Sequence, residues 1–67
     1  MAVRQHIINR RKELAITQQS VANAAGIERS SYAAIERGFR DPSLEVAQRI
    51  CITLNMSVDE AFPLKDK

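Results

Sequence analysis

Few residues in this 67-residue chain can support covalent or acid–base chemistry. There is one histidine, His6, and one cysteine, Cys51, far apart along the chain. A nucleophile needs a base beside it and a third group to orient that base; no such set is visible. One Cys and one His cannot build a structural zinc site, which takes four such ligands. The two glycines, Gly26 and Gly38, do not form a phosphate-cradling loop. The sequence therefore points away from an enzyme and implies no metal, no cofactor and no small-molecule ligand. What the chain offers instead is seven arginines and four glutamines. These are side chains suited to hydrogen-bonding an anionic backbone or base edges.

Charge distribution agrees. The net charge is only +2. Residues 1–40, however, carry seven basic and three acidic side chains, whereas residues 41–67 carry three basic and five acidic ones. A basic half for a polyanion and a mildly acidic remainder give this asymmetry, although chance scatter in a short chain can do so too. Apolar residues make up 45% and charged ones 27%, the balance of a folded chain rather than a disordered one. With 67 residues the expectation is a single domain over 1–67 with a small core. No apolar run approaches the length of a membrane span, residues 1–10 lack a secretory pattern, and one cysteine suits a reducing cytoplasm.

The elements that must position these side chains read as five short helices. The first spans about 3–14, with Val3, Ile7, Arg11 and Leu14 on one face at helical spacing. Thr17 caps a second helix over 18–25, which ends at Gly26. A third spans about 29–37, with Tyr32, Ile35 and Glu36 on one face, and ends at Gly38. Pro42 precedes a fourth over about 43–54, with Leu44, Ala47, Cys51 and Leu54 in step. Ser57 and Glu60 form a capping box opening a one-turn fifth helix that stops before Pro63. No stretch alternates long enough to form a strand, so the fold class is all-α.

Residues 18–37 stand out. Two helices that cross closely need a small residue at the crossing, which Ala22 supplies. The sharp turn between them needs a left-handed residue, which Gly26 supplies. Val21, Ala25, Ile27, Tyr32 and Ile35 fall on the core side. Arg29, Ser30, Ala33 and Ala34 face the other way, small or polar as suits a helix lying in the DNA major groove.

At this point the sequence resembles the Cro/C1-type, or XRE, helix-turn-helix family, which includes lambdoid phage repressors and restriction–modification controller proteins. The resemblance rests on Arg11, the Thr17-Gln18-Gln19 start, Ala22, Gly26, Ile35-Glu36-Arg37-Gly38, Asp41-Pro42-Ser43-Leu44 and the ending from Leu54 to Phe62. It implies a compact five-helix, lambda-repressor-like fold with the helix-turn-helix at helices 2 and 3 (about 18–37). It implies a sequence-specific regulator of transcription, a repressor or autoregulator, that binds double-stranded DNA. In that family pattern Arg29, Ser30, Ala33 and Ala34 read bases, while Gln18, Gln19, Arg37 and Arg40 meet the DNA backbone. Arg29 could instead meet a phosphate or stay solvated, and Gln18 could simply be exposed. Arg11 and Glu36 would form a buried structural ion pair rather than touch DNA.

Two positions depart from the pattern. Glu28 stands where Ser or Thr often caps the recognition helix; its carboxylate suits a helix N-terminus but repels phosphate, and could accept from a cytosine amino group. Tyr32 replaces a branched aliphatic, so its hydroxyl must find water or a partner, with packing favoured over a phosphate contact. His6 is expected on the surface and Cys51 in the core.

One recognition helix reads few base pairs, so a homodimer on a palindromic operator is expected. With little chain beyond the fifth helix, the dimer must use the domain's own surface. Candidates are Ile52, Asn55, Met56, Val58, Phe62 and Leu64, unless Phe62 and Leu64 merely close the monomer core. The same resemblance leaves a second function open: an antitoxin-like module that binds a toxin as well as DNA.

Overall fold

One backbone device ends each of the four longer helices. In the computed structural model, which describes residues 3–63, the chain forms α1 (Gln5–Glu13), α2 (Gln18–Ala25), α3 (Arg29–Glu36), α4 (Leu44–Leu54) and α5 (Val58–Ala61). No strand occurs among the described residues. After α1, α2, α3 and α4 a single residue turns left-handed: Ala15 (φ 59°), Gly26 (φ 76°), Gly38 (φ 81°) and Asn55 (φ 56°). The next amide N–H then reaches back five residues, from Ile16 to Arg11, Ile27 to Ala22, Phe39 to Ala34 and Met56 to Cys51. This is the Schellman ending, which satisfies orphan carbonyls and favours an apolar residue just after the turn. Ile16, Ile27, Phe39 and Met56 supply that residue in all four cases.

The starts of α2, α4 and α5 are set by side chains. Thr17, Ser43 and Ser57 accept from the backbone N–H groups of Ser20, Val46 and Glu60 at 3.0, 3.3 and 3.1 Å. Glu60 returns the bond to the Ser57 N–H at 2.9 Å, completing the capping box expected from the sequence.

The core forms around α2, which packs on both α3 and α4. Val21, Ala22 and Ala25 of α2 meet Ile7, Tyr32, Ile35, Ile50, Cys51, Leu54 and Ala61, all buried. Ala22 is 0% exposed, as a close crossing requires. Burial, with the nearby charge of Glu60, pushes the Cys51 thiol above its ordinary range and keeps it protonated.

Three sequence expectations need correction. The first helix runs Gln5–Glu13 rather than 3–14, and both ends of its expected apolar face are out in solvent: Val3 precedes the helix and Leu14 is its cap. Leu44, in step with the core side of α4, is exposed; at the helix's first residue it lines an open groove with Phe39, Val58 and Phe62 rather than packing in the core. The third helix ends at Glu36, and Arg37 caps it from outside.

Long-range polar ties fasten α1 to the rest. Arg4 donates to the Ile35 and Arg40 carbonyls and pairs with Asp41 at 2.6 Å, while its guanidinium lies 5.2 Å from the Phe62 ring centre. Arg10 Nε donates to the Leu54 carbonyl at 2.9 Å. His6 lies on the exposed side of α1, yet its Nε2 is 2.8 Å from the Ala61 carbonyl oxygen.

Candidate nucleic-acid interface

The interface is built on α2 and α3 and the turn between them. Burying Tyr32, Ile35 and Glu36 fixes the rotation of α3. The opposite side then presents Arg29 and Ser30 to solvent, with Ala33 and Ala34 half-buried beside them. Gln18 and Gln19 open α2, Arg37 is exposed just past α3, and Arg40 lies back along it, donating to Ser31 Oγ at 3.2 Å. Gln19 Nε2 bonds its own helix at Asn23 Oδ1, 2.9 Å away.

Beneath this surface a charged network ties three helices. Arg11 Nε donates to Glu36 Oε2 at 2.6 Å, with side chains only 12% and 3% exposed. A second guanidinium nitrogen reaches the Ile16 carbonyl at 3.1 Å. Gln18 Nε2 donates to Glu36 Oε1 at 2.9 Å. The far end of the same amide, Gln18 Oε1, accepts from Arg29 at 3.3 Å. Burial alone would raise the Glu36 carboxyl, but bonds from Arg11 and Gln18 and the nearby Tyr32 hydroxyl hold it below the ordinary carboxylate range. Glu36 in turn raises the Arg11 guanidinium above its usual value. Breaking one side of such a buried pair is far costlier than never having built it.

The expected Arg11–Glu36 pair is thus present. The link from Glu36 through Gln18 to Arg29 went unforeseen, because nothing in the spacing tells a surface glutamine from one bonded inward. Gln18 and Arg29, placed apart by the sequence, meet directly. With Arg11, Lys12, Thr17 and Gln19 they line one open cleft at the start of α2. Lys12 was missed; its place beside Arg11 in the last turn of α1 is the signal that could have found it.

The two departures, Tyr32 and Glu28, differ in burial. Tyr32 is 0% exposed and so is no DNA contact; it packs, as favoured. Its hydroxyl points toward the Arg11–Glu36 pair, and burial, then Glu36, raises it well above the ordinary phenol range, yet no acceptor stands at hydrogen-bonding geometry. Glu28 occupies the N-cap of α3 without making the side-chain cap bond, and is exposed.

The helix-turn-helix family pattern matches residues 7–60, most of the chain. The chain belongs to the helix-turn-helix family. Its type is that of the Cro/C1, or XRE, regulators. An uncharacterized HTH-type transcriptional regulator of Methanothermobacter thermautotrophicus is 35% identical over 65 residues, covering 96% of this chain and 88% of that protein. Two solved structures superpose with a TM-score of 0.77 at 28% identity each. One is the restriction–modification controller protein C.AhdI from Aeromonas hydrophila, covering 87% of this chain and 88% of that one. The other is the N-terminal DNA binding domain of SinR from Bacillus subtilis, covering 94% and 93%. This helix-turn-helix chain is therefore a transcriptional regulator of the lambda-repressor-like fold and not an enzyme. No helix among the described residues is long and apolar enough to cross a membrane.

Proposed function

We propose that this protein is a sequence-specific repressor or autoregulator, a single DNA-binding domain that occupies a palindromic operator as a homodimer in the cytoplasm. α3 enters the major groove, where Arg29 and Ser30 meet base edges and Ala33 and Ala34 give close apolar contact, as to a thymine methyl. Gln18 and Gln19 at the start of α2, with Arg37 and Arg40 beyond α3, hold the phosphates that set the register.

One observation carries this reading: Gln18 and Arg29, at the starts of α2 and α3, stand side by side on one exposed face, bonded at 3.3 Å. Helix-turn-helix docking places the start of the recognition helix at base edges and the preceding helix across the backbone, and this contact puts Arg29 and Gln18 together on one face for those two roles. The basic cleft around them supplies counter-charge for the backbone.

Selection of bound fragments from a random duplex library tests it. The expected product is a motif of two inverted half-sites centred about one helical turn apart. Enrichment of no motif would overturn the reading, and a single half-site would overturn its dimeric part.

A further inference from the structure

The two most exposed large apolar side chains among the described residues lie on one helix. Leu44 is 69% and Ile52 79% exposed, both on α4. They are two helical turns apart, about 12 Å along the axis and roughly 80° around it. Gln48 lies midway on the same stripe and is exposed. The adjoining stripe of α4, with Ala47, Ile50, Cys51 and Leu54, is already buried in the core. Isolated exposed apolar residues are ordinary. Two in register, flanking an uncharged amide on a helix otherwise used for packing, form a second apolar face. Beside Leu44 that face runs into a groove lined by Phe39, Val58 and Phe62. Met56, Val58 and Phe62, by contrast, already pack against the core, and Asn55 is the left-handed residue ending α4. Of the sequence-derived dimer candidates, Ile52 and Asn55 stay exposed among the described residues, and of these two only Ile52 is apolar; Leu64 lies outside them.

We propose that α4 packs antiparallel against α4 of a second copy, about a twofold axis at Gln48. This rests on the dimeric reading above and names its surface. A twofold contact is self-complementary, so a residue four places before the axis meets one four places after it. Leu44 of each copy covers Ile52 of the other, and the two Gln48 side chains meet at the centre.

Charge selects this orientation. Glu45 and Arg49 lie on the same flank of α4, bonded within the helix at 2.6 Å. Antiparallel packing about this axis keeps that flank on one side of both helices. Glu45 of one copy then lies about 3 Å along the axis from Arg49 of the other, at 1.5 Å per residue. Parallel packing about a twofold along the helices would send that flank to opposite sides of the pair, so no Glu45–Arg49 contact would form between the copies. The opposite charges brought together by the antiparallel arrangement favour it.

Cysteine cross-linking of the full chain under mild oxidation tests the register, alongside sedimentation of charge variants. A disulfide needs Cα atoms within about 7 Å. Gln48→Cys should yield a covalent dimer, while Leu44→Cys alone should not, its two copies lying about 12 Å apart along the axis. The wild type, whose one cysteine is buried, is the control. Leu44→Lys and Ile52→Glu should each shift the chain to monomer with unchanged helicity, and the two combined in one chain should restore dimer. Cross-linking through Leu44→Cys but not Gln48→Cys would overturn the antiparallel arrangement. A dimer unmoved by Ile52→Glu would overturn this surface while leaving dimeric binding intact. A wild type monomeric both free and on its selected operator would overturn the dimeric reading itself, and this surface with it.

Discussion

Gln18 Nε2 donates to Glu36 Oε1 across 2.9 Å, and this contact carries a buried ion pair out to the protein surface. The carboxylate requires a donor, which settles how the amide is turned. The carbonyl end must then face outward, where it accepts from Arg29. A residue inside the fold thus fixes the resting position of a residue at the DNA face. Three helices share the network: Arg11 from α1, Gln18 from α2, Glu36 and Arg29 from α3.

Removing Glu36 leaves Arg11 buried without its counter-charge. Glu36→Ala should therefore destabilise the fold by about 3–5 kcal/mol, as other broken buried pairs do. Thermal or urea unfolding checks it, and a wild-type midpoint would count against the network as a structural element. Replacing both partners, Arg11→Met with Glu36→Leu, should recover most of the loss, because no stranded charge remains.

The same carboxylate sets an acid limit. Its folded pKa is held below the unfolded value of about 4.3. Glu36 ionisation therefore contributes stability that is whole above that value and lost as pH falls through the folded one. Unfolding free energy should drop on acidification below about pH 4.3. In the doubly apolar variant that drop should shrink; an identical profile would show that other carboxylates set the acid limit.

Tyr32 offers the opposite sign. Its hydroxyl is buried and finds no acceptor, and an unsatisfied buried polar group costs about 1–3 kcal/mol. Tyr32→Phe keeps the ring and removes the burden, so the melting temperature should rise. A fall would mean that its support of the Glu36 carboxylate outweighs the cost of its own burial.

The helix endings give a paired test. Ala15 and Gly26 occupy the same left-handed position after α1 and α2. A side chain there costs about 1–2 kcal/mol. Gly26→Ala should destabilise by that order, its added Cβ also meeting the Arg49 side chain at 3.3 Å. Ala15→Gly should stabilise by a smaller amount, since glycine loses more freedom on folding. Chemical denaturation of the two variants distinguishes these directions.

Legibility in the sequence followed how local the cause was. Thr17, Ser57 and Gly26 act on neighbours within a turn, and the starts of α2 and α5 and the end of α2 were read from them. Leu14 and Leu44 misled because helical periodicity assigns a face but not what covers it, and both side chains stay exposed. Ala15 and Asn55 hid their left-handed turns because neither is glycine; the apolar Ile16 and Met56 after them were the usable signs. The Arg11–Glu36 pair was legible only through family resemblance. Gln18 to Glu36, His6 to Ala61 and Arg10 to Leu54 join residues far apart in sequence, and no spacing rule reaches them.

Specific binding by α3 is the central claim, and a salt-dependent titration tests it most directly, comparing wild type, Arg29→Ala and Arg37→Ala on the selected operator and on random duplex. Arg29→Ala should lose about 1–3 kcal/mol on the operator and almost nothing on random DNA. Arg37→Ala should weaken both alike and lower the salt slope by about 1 for each recognition helix engaged. Equal binding of operator and random duplex by the wild type, unchanged by Arg29→Ala, would contradict the account.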